Sequence, residues 1–292
     1  MTVNSSNLQK KLSRGEFVVT VEVCPPKGCD TRLFLQQSKE LSGIVDAINV
    51  TDNQGANMRI SPLAASLLLQ REGLEPIMQL TCRDRNRLAL QSELLGAAAL
   101  GIKNILALSG DHISFGDHKE AKAVFDLDSV QLLEAIKCLE SGSDLSGKSL
   151  DGIPSFFIGA AAAPEAEPFE LTLFKLRKKA AVGAQFFQTQ AVFNPAKLAR
   201  FYDSVKPLGV KIISGILLLK SAGMARFINK NIPGLRVPDE FIAELENSAN
   251  PAFTGVEIAC RLARAVKPWS DGVHIMAMGR EEVIPEIVSA VK

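Results

Sequence analysis

Phe17-Val-Val-Thr-Val-Glu22 is the stretch on which the fold turns. Side chains alternate across a strand, so Phe17, Val19, Val21 and Val23 share one face while Val18, Thr20 and Glu22 share the other. The first face is wholly apolar and suits packing under helices. The second ends in a carboxylate. In a barrel of parallel strands the carboxyl ends converge on one face, and that face carries the active site. Three other runs end in polar residues in the same way: Val45-Asp-Ala-Ile-Asn-Val-Thr51, Asn104-Ile-Leu-Ala-Leu-Ser-Gly-Asp111 and Gln185-Phe-Phe-Gln-Thr-Gln190. Residues far apart in the chain would then meet around one pocket, with Glu22, Asp111 and Gln190 foremost.

The same pattern recurs along the chain. Strands are expected at 17–23, 45–50, 75–80, 104–109, 155–161, 184–190, 210–216 and 272–276, eight in all, with helical patterns between them. Ser61-Pro62 supplies an N-cap and a proline at the first helical position. Asp128 caps a second helix whose Leu132, Leu133, Ile136 and Leu139 lie on one face. Asn194-Pro195 opens a third, with Leu198, Phe201, Tyr202 and Val205 on its buried side. Glu165 and Glu167 are expected to begin a helix that ends near Lys178 and Lys179, matching its macrodipole. Alternating strands and helices imply a parallel sheet. Eight units in 292 residues favour an α/β fold of the closed (β/α)8 TIM-barrel type, with 1–292 a single domain. No G-x-G-x-x-G follows a strand and no G-x-x-x-x-G-K-[ST] occurs, so the Rossmann and P-loop signals are absent. The segment from Ser141 to Gly152 reads as a solvated connection. The loop from His112 to Leu127 follows the fourth strand and would lie over the active face, where long loops often clamp cofactors.

Composition narrows the function. Lys and Arg number 33 against 32 Asp and Glu, a net charge of +1, which gives nucleic-acid binding no electrostatic support. Met1 to Gly15 is polar and has no apolar core of a signal peptide, and no apolar run reaches the roughly 18 residues of a membrane span. A cytoplasmic location is expected. Cys24, Cys29, Cys82, Cys138 and Cys260 are scattered and odd in number, without a C-x-x-C pair. Reduced thiols are expected, with no disulfide framework and no metal site.

Each candidate residue has a functional and a structural reading. A carboxyl at the Glu22 position is costly to ionise without a partner, so its pKa should rise, which suits a general acid. Alternatively it is a carboxylate paired across the barrel with Lys27 or an arginine. Asp111 follows Ser109-Gly110, where glycine lets a flat ligand approach the backbone, and its charge could stabilise a developing cation. It could equally be a turn or capping aspartate. Gln188 and Gln190 share a strand face and could read a heterocycle with paired donors and acceptors, or serve a hydrogen bond within the barrel mouth. Thr51, Asp52 and Asn53, and Gln79 with Thr81, end two more strands and could hold a ribityl or phosphate chain, or cap loops. His112, His118 and His274 lack the pattern of a metal site or triad and read mostly as loop or surface residues, with His118 the one placed to touch a cofactor. Met276 and Met278 read as core.

Together these residues resemble the catalytic barrel of methylenetetrahydrofolate reductases, from about Phe17 to the C-terminus. The resemblance rests on Val21-Glu22-Val23-Cys24-Pro25-Pro26, Leu80-Thr81-Cys82, Ala107-Leu108-Ser109-Gly110-Asp111, Ala163-Pro164-Glu165, Gly183-Ala184 with Thr189-Gln190, and Gly215-Ile216-Leu217, in order. It implies a flavin enzyme, with FAD in preference to FMN. Glu22 would act as general acid on the bridging nitrogen of the folate, opening its five-membered ring to an iminium ion. Reduced flavin would pass a hydride from N5 to that carbon, giving methyltetrahydrofolate. Asp111 would stabilise the cation and Gln190 would match the pterin-binding glutamine, with Gln188 beside it. Thr51, Gly110 and Lys179 would match flavin-contacting positions, joined by Gln79, Ser109, Asp111 and His118.

This sequence also departs from the family pattern. Gln79 stands where many members have a histidine, Ser109 where an arginine is common, and Thr172 where an aspartate is common. After Gly215-Ile216-Leu217 the run is Leu218-Leu219-Lys220-Ser221-Ala222, and alanine cannot stack on a nicotinamide as the usual aromatic does. The expectation is that an iron–sulfur or second flavin protein supplies electrons. Phe115-Gly116-Asp117-His118 looks like the variant found in one-carbon pathways of anaerobes. Two other readings stand beside the reductase: a non-catalytic folate-binding barrel subunit of a methyltransferase or reductase complex, and a pterin-binding barrel that transfers methyl to a corrinoid. The electron donor, the oligomer and the direction of reaction are not set by the sequence.

Overall fold

The computed structural model describes residues 5–232 and 234–292. Eight parallel strands close into a barrel in sequence order: β1 (Val18–Val23), β2 (Ala47–Val50), β3 (Pro76–Thr81), β4 (Asn104–Leu108), β5 (Phe157–Ala162), β6 (Phe186–Ala191), β7 (Lys211–Leu217) and β8 (Gly272–Met276). The TIM barrel expected from the strand–helix alternation is therefore present. β1 closes the ring by pairing with β8 through Val18 opposite Gly272 and Thr20 opposite His274. Around it run α1 (Asn7–Ser13), α2 (Arg32–Glu40), α3 (Pro62–Arg71), α4 (Arg87–Ala99), α5 (Ser129–Glu140), α6 (Phe169–Ala181), α7 (Pro195–Val205), α8 (Ala222–Asn231), α9 (Asp239–Asn247), α10 (Pro251–Val266) and α11 (Ile284–Ser289).

The alternation seen in β1 sorts its side chains as expected. Val19, Val21 and Val23 join the large core between sheet and helices. Val18 joins a second cluster inside the barrel with Ala47, Ile77, Leu106, Phe157, Phe186 and Ile213. Phe157 and Phe186 stack there with ring centroids 4.8 Å apart. Leu8 and Leu12 of α1 belong to the same cluster, so this helix plugs the amino-terminal end of the barrel. Each buried leucine contributes about 1.5–3 kcal/mol. The plug was not anticipated. Its signals are an N-cap serine, Ser6, which accepts from Gln9, and two leucines one turn apart. One end of the barrel is thus filled by side chains, and the axis is open at the carboxyl end.

The capping signals at Ser61, Asp128 and Asn194 are all used, Asp128 in a full capping box with Gln131. The expected start of α6 is corrected. It begins at Phe169, not at Glu165, because Pro168 disfavours helical backbone at the residue before it. Glu165 instead accepts the backbone N–H groups of Phe193 and Asn194 at 2.7 and 2.6 Å, tying the loop after β5 to the loop after β6.

Two loops press together over the barrel mouth. A turn at Gln54–Ala56 meets the loop after β4 at Gly116. A Cβ on Gly116 would lie 1.8 Å from the Ala56 carbonyl oxygen, so only glycine allows this approach. Asp117 adds an ion pair with Lys27 and accepts the Met58 N–H at 3.3 Å. Gly116→Ala should weaken this contact by about 1–3 kcal/mol. Amide hydrogen exchange in 53–58 and 112–118 should then rise on the order of tenfold or more, with the barrel strands unchanged. Unaltered exchange in both loops would refute the contact.

Candidate active site

The strand ends surround a cavity of about 600 Å³ at the carboxyl face, a size usual for small-molecule sites. Glu22 of β1, Gln79 of β3, Asp111 after β4, Ala161 of β5, Gln188 and Gln190 of β6, and His274 of β8 all line it. Leu217, Met224, Phe227, Ile228 and Met276 make much of the rest of the wall apolar. Glu22, Asp111 and the two glutamines thus meet around one space, from strands up to 168 positions apart.

Among the described residues, Glu22 has no cationic partner. Lys27, the nearest candidate from sequence, is paired with Asp117. Glu22 accepts instead from Gln54 Nε2 at 2.7 Å and, at the limit of hydrogen-bond length, from Gln79 Nε2 at 3.5 Å. Burial raises its pKa above the ordinary carboxyl value, the two amide donors pull it back, and the Asp111 charge pushes it up again. Asp111 is held from its other side, accepting the Gly55 N–H at 3.1 Å. Gly110 before it has φ +93°, and a Cβ would come within 3.0 Å of Arg83 and 3.1 Å of Thr81. Glycine is needed there to turn Asp111 toward the cavity.

The floor is a polar chain across the barrel. Asn49 and Gln188 exchange amide hydrogen bonds of 2.6 and 2.9 Å. Gln188 Nε2 also donates to Thr20 Oγ1 at 3.2 Å, and Thr20 meets His274 Nδ1 at 3.0 Å. Gln188 is therefore buried and committed, whereas Gln190 is exposed at the rim. A register shift between Gln188 and Ala191 places Thr189 in the cavity wall as well, the usual use of a bulge beside a site. The reading of His274 as a loop or surface residue is corrected. It sits inside β8, 4% exposed, because a β-strand position opposite Thr20 faces the barrel axis. Met276 packs against the core and also lines the cavity, while Met278 is exposed at the cavity wall, which corrects its reading as core.

Burial lowers the His274 pKa from 6.5 to about 4. The folded state keeps the ring neutral while the unfolded chain takes up a proton below 6.5. Stability is therefore lost as pH falls from 6.5 through 4, by up to about 3 kcal/mol. Urea unfolding at pH 7 and pH 4.5 should show this loss in the native chain and a smaller one in His274→Gln. Parallel pH dependence in the two would contradict it.

The remaining predicted positions lie outside that wall. Thr51 is fully buried, and its Oγ1 has no hydrogen-bond partner. Asp52 is buried too, accepting from Thr81 N and Oγ1 and from both terminal nitrogens of Arg85. Ser109 is exposed beside Gly110. His118 is exposed on its loop, with Nδ1 2.7 Å from Asp117 Oδ1. Lys179 donates from Nζ to the Ala161 carbonyl at 2.9 Å, and burial lowers its pKa. Gln54 was missed by sequence reading. It lies in a turn four residues past the end of β2, and nothing in residue type or spacing marks it. Among the described residues, no group of three or more His, Cys, Asp or Glu could hold a metal ion, and no helix is long and apolar enough to cross a membrane.

The family profile described as methylenetetrahydrofolate reductase matches residues 7–292. The chain belongs to that family. It is 26% identical over 266 residues to methylenetetrahydrofolate reductase 2 of Schizosaccharomyces pombe, covering 84% of this chain but 39% of that protein. It is 27% identical over 286 residues to 5,10-methylenetetrahydrofolate reductase of Salmonella typhimurium, covering 92% of this chain and 89% of that one. The chain thus spans about two fifths of the yeast family member and most of the bacterial one. Among solved structures, a protein from Clostridium thermocellum described as binding two copies of 5-methyl-5,6,7,8-tetrahydrofolic acid shares the fold, with TM-score 0.64, 16% identity and 97% of each chain covered.

Proposed function

We propose that the chain is a cytoplasmic, single-domain, flavin-dependent reductase that converts methylenetetrahydrofolate to methyltetrahydrofolate at the barrel mouth. The observation that carries this reading is the meeting of Glu22 and Asp111 around one apolar-walled cavity, with Glu22 half-buried and, among the described residues, without a cationic partner. Membership of the family and the folate-binding structural neighbour support it.

Glu22, protonated further into the neutral range than an ordinary glutamate, would donate its proton to the bridging nitrogen of the folate. That donation opens the five-membered ring to a carbon–nitrogen cation. The Asp111 carboxylate, on the same wall, would stabilise this charge. Gln190, whose amide is exposed at the rim, would read the pterin edge, while Gln188 holds the floor through Asn49. The apolar wall would exclude water from the reactive cation.

FAD, in preference to FMN, would supply hydride to the opened folate when bound. Its holders would be Thr51, Gln79, Ser109, Gly110, Asp111, His118 and Lys179. Two features fit such a group: the buried hydroxyl of Thr51, without a hydrogen-bond partner among the described residues, and the left-handed backbone at Gly110, which leaves this strand end without a side chain. Electrons would come from an iron–sulfur or flavin protein. Ala222, at the start of α8, offers no ring, and the aromatic residue on the cavity wall is Phe227, more than a turn later. Steady NADH oxidation by the purified chain alone would defeat the partner assignment.

A second reading is a non-catalytic folate-binding subunit. It draws on Lys179 and His118, whose polar ends are already bound to Ala161 and Asp117. Titration of the chain with FAD, read by quenching of flavin fluorescence, separates the two. Saturable quenching that 1:1 binding describes is expected. No quenching by FAD or FMN, with methyltetrahydrofolate still bound, would favour the second reading.

A further inference from the structure

The turn that carries Gln54 touches both acids of the cavity. Gln54 Nε2 donates to Glu22 Oε1 at 2.7 Å, and the next residue donates its backbone N–H to Asp111 Oδ2 at 3.1 Å. The other end of the Gln54 amide is also engaged. Its Oε1 accepts the Cys24 thiol at 2.9 Å. An amide can present either oxygen or NH2 to a neighbour. A thiol donor at one end leaves NH2 as the end facing Glu22.

The turn is held rigidly. Asn53 and Ala56 both have positive φ, 47° and 58°, a costly backbone for residues with side chains. Surrounding groups enforce it. Asn53 accepts the Arg59 N–H at 2.9 Å through its side chain and Arg83 Nη2 at 3.1 Å through its carbonyl. Gly116 lies against Ala56 from above. Strain of this kind persists where a fixed geometry is needed.

We propose that Gln54 is a positioning residue for Glu22: its amide N–H fixes the carboxyl on the cavity wall beside Asp111, and the Cys24 thiol fixes which end of the amide does so. This rests on the reductase reading for its catalytic meaning but not for its geometry. Although the residue as a whole is exposed, loss of solvation around the sulfur and the Glu22 charge push the Cys24 pKa up to about 11, so the thiol keeps the proton it donates. That same shift makes Cys24 a poor nucleophile despite its exposure. The titratable groups that share the cavity wall with Glu22 are Asp111 from the end of β4, His274 from β8 and Lys220 after β7, and Cys24 lies just past the end of β1.

The test reads Glu22 directly. The carboxyl resonance of Glu22 in carbon-13-labelled protein, assigned by its loss in Glu22→Gln, is titrated without ligands. Gln54→Leu removes a donor to the ionised form, so the midpoint should move up by about one unit, tenfold in proton affinity, or more. Cys24→Ala frees the amide to turn and should move it in the same direction by less. Cys24→Ser retains a donor and should restore the native midpoint. In single turnover with reduced flavin and methylenetetrahydrofolate, the rate of Gln54→Leu should fall by roughly 10- to 100-fold, with its alkaline limb displaced upward. An unmoved resonance in both Gln54→Leu and Cys24→Ala would overturn the proposal. Should Gln54→Leu not fold, the Cys24 pair alone decides, because that thiol is exposed. A native chain with the expected titration but no turnover would sink the reductase reading and leave the positioning geometry standing.

Discussion

Glu22→Gln is expected to slow hydride transfer to methylenetetrahydrofolate by about 10²- to 10⁴-fold, the range for removal of a general acid. The variant is nearly isosteric: Gln54 donates to one carboxyl oxygen at 2.7 Å and Gln79 to the other only at the 3.5 Å limit, so an amide oxygen turned toward Gln54 keeps the stronger bond and gives up the weaker. Folding and folate binding should therefore change little. The pH profile gives a second signature. Burial raises the Glu22 pKa, so the active, protonated form is full at low pH and is lost as pH rises through that raised value. The native rate should fall across that limb, and the residual rate of Glu22→Gln should lack it. A variant with native single-turnover rate would remove Glu22 from the chemistry.

Asp52→Ala carries the largest expected stability change. Asp52 is almost fully buried and pairs with Arg85 at 2.7 Å, while the same oxygen accepts the Thr81 N–H and hydroxyl, each at 2.8 Å. Its removal leaves a mostly buried guanidinium and a strand-end N–H without their acceptor. Breaking a buried pair from one side costs about 3–5 kcal/mol, more than the pair itself contributes. The melting temperature should fall by roughly 10 °C. Asp52→Ala with Arg85→Met should recover part of the loss, since the stranded charge is then gone. Equal stability of the single and double variants would show that the guanidinium is not the source. Asp52 also anchors the end of β2, two residues before Gln54, so the single variant should broaden the Glu22 resonance as well.

Most of the frame was legible because its signals are local. Each of the eight expected strands falls within two residues of an observed one at either end, since buried parallel strands are short apolar runs between helix caps. The alternation in β1 was enough to sort Val19 from Val18 and to put Glu22 at the mouth. What failed was set by tertiary contact. Glu165 has the charge of a helix start, but Pro168 delays the helix and two N–H groups of another loop claim the carboxylate. Two leucines in a polar N-terminus are too sparse to announce a plug until a barrel end exists to receive them. His274 has the composition of a surface residue and the register of an interior one, and register decided.

The candidate site was legible where strand ends carry acids and amides, at Glu22, Asp111, Gln188 and Gln190. Gln188 shows the limit of that reading. Its position on the inner face follows from periodicity, but its commitment to Asn49, 139 residues away, does not. Gln54 shows it more sharply, because a hydrogen bond from a turn depends on backbone angles that no spacing rule encodes.

The most direct test is an anaerobic half-reaction. The chain is loaded with FAD, bleached with dithionite and mixed with methylenetetrahydrofolate, while the visible band of oxidised flavin is followed. The band should return rapidly in the native chain and far more slowly in Glu22→Gln, with methyltetrahydrofolate formed in step. A native chain that stays bleached while the folate is bound, or a variant as fast as the native chain, would contradict the account.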